Sequence, residues 1–205
     1  MYIEKLSSSL TWKILMYKQI KACDIALSKD LQSSIESIKQ RLETAPCIDD
    51  QPGAIRYHLD NEEFVWLLLP WMEALPMRNF IANFFATNDF FITYVRCRSP
   101  LKHQGQQKFH RDWFTPNERL EVFIAVDGIN QENGPLEVRT SSKTSRLVVM
   151  DPGDICILDS ETLHRGTRNI SGNKRRLISL HIASQLKDDE VYVSYFKDGR
   201  LSRLQ

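Results

Sequence analysis

Near residue 90 the apolar residues of this chain change their spacing, and the kind of structure they can build changes with it. Upstream they recur at helical intervals, over residues 10–22 and again over residues 30–42, where Leu31, Ile35, Ile38 and Leu42 fall on one face. Residues 62–86 read as one or two apolar helices interrupted at Pro70 and Pro76. Residues 45–52, with Pro46, Asp49, Asp50 and then Pro52-Gly53, read as a break between helices. Downstream, β-formers dominate in short runs: 90–98, 119–126, 146–150, 155–158, 177–182 and 191–196. Turn chemistry separates them at Asn133-Gly134-Pro135, Asp151-Pro152-Gly153 and Ser171-Gly172-Asn173. The pattern predicts a mainly β fold with α: a jelly-roll sheet with N-terminal helices packed outside it. A single domain over residues 1–205 is expected, 1–89 mostly helical and 90–205 the jelly-roll core, because the apolar helices need the sheet to cover them.

The bulk numbers exclude several classes. At 205 residues the chain suits one sizeable core. A formal net charge of +1 gives no electrostatic pull on nucleic acid. The longest apolar run, residues 64–71, is far short of the roughly 20 residues of a membrane span, and no secretory signal is expected. The four cysteines Cys23, Cys47, Cys97 and Cys156 are scattered, with no CxxC pair, and read as reduced thiols in a cytoplasmic protein. No internal repeat or low-complexity tract is evident.

Chemistry-bearing residues concentrate in two places. In Phe109-His110-Arg111-Asp112-Trp113, His110 and Asp112 are two residues apart. On an extended backbone they face one side and can offer an imidazole and a carboxylate to one point. His164, far downstream and just after the apolar run 155–158, is the best third donor. Two histidines and a carboxylate make a facial triad that leaves three positions of an octahedral iron open. Shortly afterwards, Arg175 or Arg176 opens the next strand, and an arginine fork suits the distal carboxylate of a dicarboxylic keto acid. On chemistry alone the two arginines are equivalent, because only the strand register decides which one faces the metal.

Four segments, in order, resemble the phytanoyl-CoA dioxygenase family of Fe(II)/2-oxoglutarate oxygenases: FHRDW (109–113), NGPLEV (133–138), PGDICILDSETLHRG (152–166) and RRLISLHIAS (175–184). The resemblance covers roughly residues 90–184. It implies a double-stranded β-helix, cupin-like, with the metal in its mouth. It implies His110, Asp112 and His164 as catalytic iron ligands, and it favours Arg175 over Arg176 for 2-oxoglutarate. It places Tyr94 against the keto acid, and Phe123 where the family often has a tryptophan. The cofactors implied are Fe(II), 2-oxoglutarate and O2, and the reaction implied is hydroxylation of a small-molecule substrate with succinate and CO2 as co-products. Related halogenases carry a small residue where this chain has Asp112, which favours hydroxylation. After NGPLEV the chain departs from the family's usual turn and reads Arg139-Thr140-Ser141-Ser142-Lys143.

Other residues have plainer readings. Trp113 is a candidate wall of the substrate pocket, or a core or surface aromatic. Arg111 points away from the ligands if its segment is extended. Arg98 is a strand-end arginine, a surface charge or an anion contact, and Phe123 reads as core. His58, His103 and His181 read as structural. The competing functional readings are a zinc-loaded cupin-like protein and a non-catalytic binding module.

Overall fold

The structure, a computed structural model, describes residues 17–22, 28–50, 53–57, 61–112, 118–140, 144–187, 192–198 and 200–202. Along the chain these form β1 (Tyr17–Ile20), α1 (Ser28–Thr44), β2 (Cys47–Asp50), β3 (Ala54–Tyr57), α2 (Asn61–Met72), α3 (Leu75–Phe85) and β4 (Phe90–Pro100). There follow β5 (Arg119–Ala125), β6 (Leu136–Arg139), β7 (Ser145–Val148), β8 (Ile155–Asp159), β9 (His164–Gly166), β10 (Leu177–Ala183), β11 (Ser194–Lys197) and β12 (Arg200–Ser202).

Two antiparallel sheets face each other. The larger runs β1-β8-β5-β10-β4-β11-β12, with β3 also on β4 and β2 on β3. The smaller runs β7-β6-β9 and is extended past β9 by a bridge between His164 and His110. This is the double-stranded β-helix expected for the second half of the chain. No described helix is long and apolar enough to cross a membrane.

The larger sheet has two unlike faces because side chains alternate along each strand. Ile178, Leu180 and Ile182 of β10, with Leu120, Val122 and Ile124 of β5, enter the core shared with the helices. There they meet Leu31, Ile35, Ile38 and Leu42 of α1, Phe64, Leu68 and Trp71 of α2, and Met77 and Ile81 of α3. The four α1 residues are the set that the helical spacing selects. The opposite face carries Leu177, Phe123, Cys156 and Leu158 into a smaller core with Leu136, Val138 and Val148 of the second sheet and with Met150 beyond the end of β7. Trp71 fastens the helical layer to the turn before β8 by donating its indole N–H to the Gly153 carbonyl at 2.9 Å. Gly153 has φ +89, a conformation that favours glycine, and a Cβ there would lie 2.9 Å from Ile35 Cδ1, which would have to shift.

The first 89 residues are less helical than expected. Residues 17–20, inside the expected helix 10–22, form β1 on the edge of β8, with Tyr17 opposite Leu158 and Ile20 opposite Ile155. An available sheet edge outweighs the weak helical spacing there; residues 10–16 lie outside the described residues. The expected break at 45–52 is part of a hairpin, β2 with β3, and β3 continues the sheet beside β4. Gly53, with φ +65, leads into β3, while residues 51–52 lie outside the described residues; the short, polar first strand was not legible. Pro70 does not break its helix but sits in the last turn of α2, where buried Trp71 and Met72 hold the chain to the core. Pro76 occupies the first turn of α3, where no amide donor is needed. Strands β6, β9 and β12 are too short to announce themselves by alternation. β11 begins at Ser194, within the expected run 191–196; residue 191 is not among those described.

Candidate metal centre

His110 and His164 are brought together by backbone pairing. The His110 amide donates to the His164 carbonyl at 2.9 Å, and the His164 amide donates back to the His110 carbonyl at 3.0 Å. Upstream, the Gln107 amide donates to the Gly166 carbonyl at 3.0 Å, and the Gly166 amide donates to the Gln107 side-chain oxygen at 2.7 Å. The segment before His110 is thereby laid along β9. Phe109, on the other side of that segment, is covered by the guanidinium groups of Arg139 and Arg165, each 4.4 Å from its ring centroid. With Phe109 turned outward, His110 turns inward.

Both imidazoles are oriented the same way. His110 Nδ1 lies 2.9 Å from the Lys108 carbonyl and His164 Nδ1 lies 2.9 Å from the Thr162 carbonyl. A carbonyl can only accept, so each Nδ1 carries the proton, and a neutral ring then presents a bare lone pair at Nε2. Burial lowers the His164 pKa and keeps that ring neutral; the ring is 4% exposed. Asp112 completes the group, with Oδ2 3.3 Å from His164 Nε2 and Oδ1 3.7 Å from His110 Nε2. The ligand atoms of all three residues lie within 4.8 Å of one another. Asp112 Oδ2 is buried without a hydrogen-bond donor. Lone pairs converging on one point repel unless a cation lies between them. Two Nδ1-anchored histidines and a carboxylate therefore fit a divalent transition metal.

A second acid lies beneath this group. Glu121, on the cleft face of β5, is 2% exposed, and its Oε2 is 3.6 Å from His164 Nε2. Burial, then the neighbouring Asp112, pushes its carboxyl pKa well above the ordinary value. Burial also opposes ionisation of Asp112, but the neighbouring Glu121 carboxyl and the fields of His164, His110 and His181 outweigh it and hold Asp112 below its ordinary value. The pair thus divides its roles, with Glu121 holding a proton and Asp112 carrying the charge. His181, expected to be structural, faces the same group, with Nε2 3.8 Å from Glu121 Oε1. Asp112, Glu121 and His181 form a second metal-capable set that shares Asp112 with the first. Glu121 and His181 were missed because neither belongs to a spaced motif; they meet only through the register that puts His181 opposite Glu121.

The structure separates the two candidate arginines. Arg176 is occupied: Nε and Nη2 grip Asp127 at 2.9 and 2.8 Å, and Nη1 reaches Glu43 at 2.8 Å. Arg175 lines a cleft with Arg98, Gln107, Glu121, Phe123, Leu136, His164, Gly166, Leu177 and Ser179. Its Nε is buried without a hydrogen-bond partner. The cleft therefore runs from the metal-capable cluster to a buried guanidinium. Phe123 belongs both to the smaller core and to the cleft wall, its ring 5.9 Å from that of His164. Tyr94 lies on the cleft face of β4 but at the metal end, its ring centroid 5.0 Å from that of His181. Arg111 points outward and donates to the Glu161 carbonyl at 2.9 Å. His103 is exposed. Trp113 and His58 lie outside the described residues, as do Cys23 and residues 141–143 of the departing turn.

No protein-family model matches the sequence. Among solved structures, the chain is similar to the non-haem α-ketoglutarate-dependent epimerase SnoN from nogalamycin biosynthesis, with a TM-score of 0.68, 10% identity, and 84% of this chain and 80% of that chain covered. It is similar to HygX from Streptomyces hygroscopicus, solved with nickel and 2-oxoglutarate bound, with a TM-score of 0.66, 11% identity, and coverage of 87% and 89%. AviO1 from Streptomyces viridochromogenes Tue57 gives a TM-score of 0.57, 16% identity, and coverage of 88% and 93%. At these identities the likeness to SnoN, HygX and AviO1 is one of fold.

Proposed function

We propose that this chain is a non-haem Fe(II)- and 2-oxoglutarate-dependent dioxygenase, of the phytanoyl-CoA dioxygenase type, that hydroxylates a small-molecule substrate. The observation that carries this reading is the pair of imidazoles whose Nδ1 atoms are committed to backbone carbonyls while both Nε2 atoms converge on Asp112. His110, Asp112 and His164 hold the metal, and Arg175, across the same cleft, receives the distal carboxylate of the keto acid. SnoN has been solved with Fe3+ and α-ketoglutarate and HygX with nickel and 2-oxoglutarate, which supports the same cofactors here.

When bound, iron and 2-oxoglutarate supply the oxidation: one oxygen atom of O2 goes into succinate as CO2 leaves, and the other goes into a substrate C–H bond. The protein's own residues prepare that event. The Lys108 and Thr162 carbonyls lock the imidazole orientations, and Asp112 brings the single negative charge. Phe123, Leu136 and Leu177 keep water from the middle of the cleft. The retained acid at position 112 leaves no vacancy for a halide, which favours hydroxylation over halogenation. Trp113, next to the ligands in sequence, is proposed as a wall of the substrate pocket, and Tyr94 as a contact to the keto acid. The free thiols Cys47, Cys97 and Cys156 suit a reducing, cytoplasmic setting.

Anaerobic addition of Fe(II) and then 2-oxoglutarate is expected to produce a visible absorption band, and admission of O2 to release succinate. A protein that binds iron in this way but never develops the band would overturn the reading. Mass spectrometry of the product then separates hydroxylation, a gain of one oxygen atom, from an epimerisation that leaves the mass unchanged.

A further inference from the structure

Glu121 faces two imidazoles at once. It lies on β5 opposite His181 of β10, on the cleft face of both strands. Its Oε2 stands 3.6 Å from His164 Nε2, and its Oε1 stands 3.8 Å from His181 Nε2. Asp112 reaches the same place from the segment along β9, with Oδ2 3.3 Å from His164 Nε2. Two carboxylates therefore stand among the three imidazoles of His110, His164 and His181. These donors fall into two sets that share Asp112, one with His110 and His164, the other with Glu121 and His181. Within each set the ligand atoms lie within 4.8 Å of one another. Donors around one ion, with bonds of about 2.1 Å, stand roughly 3.0–4.2 Å apart, so the second set needs only side-chain adjustment to close on a metal.

We propose that Asp112, Glu121 and His181 hold a second divalent transition-metal ion, bridged by carboxylates to the ion of the first centre. The inference rests on that first centre and goes beyond the single iron of the dioxygenase reading. An independent observation points to a ligand here. The Glu121 side chain is 2% exposed, and its Oε2 is buried without a hydrogen-bond partner. A buried acid oxygen in that state is costly until a cation or a donor meets it. One ion does not collect all the donors, because His110 and Glu121 belong to no common set among the described residues. Glu121 can instead span two ions, with Oε2 on the side of His164 and Oε1 on the side of His181. Ions bridged in this way stand about 3.5–4 Å apart. Nitrogen and oxygen donors of this kind suit Mn(II), Fe(II), Co(II) or Zn(II). Binding releases to solvent the proton that Glu121 holds in the metal-free protein. The field of Arg96 reaches Glu121, but its guanidinium is engaged elsewhere: Nε donates to Ser179 Oγ at 3.1 Å, and the group lies 5.5 Å from the Tyr94 ring centroid.

The test is a titration of the metal-free, full-length protein with Mn(II), counting bound ions by electron paramagnetic resonance. The wild type is expected to take up two equivalents, the second giving the closely spaced lines of a spin-coupled pair. Glu121→Gln and His181→Ala should each lose the second equivalent and the coupled signal. The equivalent they retain shows that they remain folded. A wild type that saturates at one equivalent overturns the second ion without recourse to any variant. So does a second equivalent that persists in both variants, since that ion binds elsewhere. Loss of both ions from either variant, with circular dichroism unchanged, shows a single shared ion and also overturns it. The keto-acid band separates this inference from the dioxygenase reading. A protein that takes up one ion and develops the band with Fe(II) keeps that reading and loses the second ion. A protein that takes up two ions and never develops the band does the reverse, and one that takes up none loses both.

Discussion

The two faces of the larger sheet are made from the same strands, one residue out of step, and they do different work. On the helix side, β10 presents Ile178, Leu180 and Ile182 to an apolar core in which each is fully buried. On the cleft side, the same strand presents Leu177, Ser179 and His181, beside Arg98, Arg96 and Tyr94 of β4 and Ala125, Phe123 and Glu121 of β5. The first face stabilises by removing hydrocarbon from water. The second borders a cleft whose polar atoms burial penalises, among them Arg175 Nε, Glu121 Oε2 and, from the segment along β9, Asp112 Oδ2, all without hydrogen-bond partners. Such groups persist where a ligand supplies what the fold does not. A slip of one residue in β10 would exchange the faces, so the apolar side also holds the chemistry in register.

Substitutions on the two faces should fail in different ways, and the largest effect is expected at the metal. His110→Ala, Asp112→Ala and His164→Ala are each expected to abolish succinate release, with the two histidine variants losing iron by metal analysis while the fold persists by circular dichroism. Full turnover in Asp112→Ala would remove that residue from the centre. On the opposite face, Leu180→Ala should cost about 2–5 kcal/mol in denaturant unfolding while the folded protein still takes up iron. If it lost iron before it lost stability, the separation of the faces would not hold.

The adjacent arginines sharpen the contrast. Arg175→Gln should weaken 2-oxoglutarate at least tenfold with little change in melting. Arg176→Gln should do the reverse, destabilising by about 2 kcal/mol through its hydrogen bonds to Asp127 and Glu43 while keto-acid affinity holds. Calorimetry and the band titration measure both. A subtler effect belongs to Glu121. Its folded-state pKa lies above the unfolded value of 4.5, so the native protein holds an extra proton there. That contribution is complete below the unfolded value and is lost as pH rises through the folded one. The metal-free protein should therefore melt at lower temperature as pH rises, and Glu121→Gln, which cannot ionise, should flatten that slope. An unchanged slope would show that Glu121 is not the group responsible. Smallest of all, Arg111→Ala should stay within about 0.5 kcal/mol of the wild type with iron uptake intact.

Local order in the chain accounts for the elements that sequence alone makes legible. The α1 face of Leu31, Ile35, Ile38 and Leu42 follows from spacing, and so do the six longer strand runs and the pairing of His110 with Asp112. The hairpin β2–β3 and strand β1 were hidden, because their residues become strands only beside β4 and β8. Tyr94 was legible as a residue of β4 but not as a neighbour of His181.

By itself the amino-acid sequence determined the second half's β character, the helical cover, and which residue types could meet a metal, because period, turns and spacing are properties of neighbouring residues. Tertiary structure alone decided that Arg175 faces the cleft while Arg176 is spent on Asp127 and Glu43, and that Glu121 and His181 stand beneath Asp112. Those choices depend on strand register and on partners more than a hundred residues away, such as Glu43 for Arg176. Long-range packing, not local preference, selects between two adjacent side chains of the same kind.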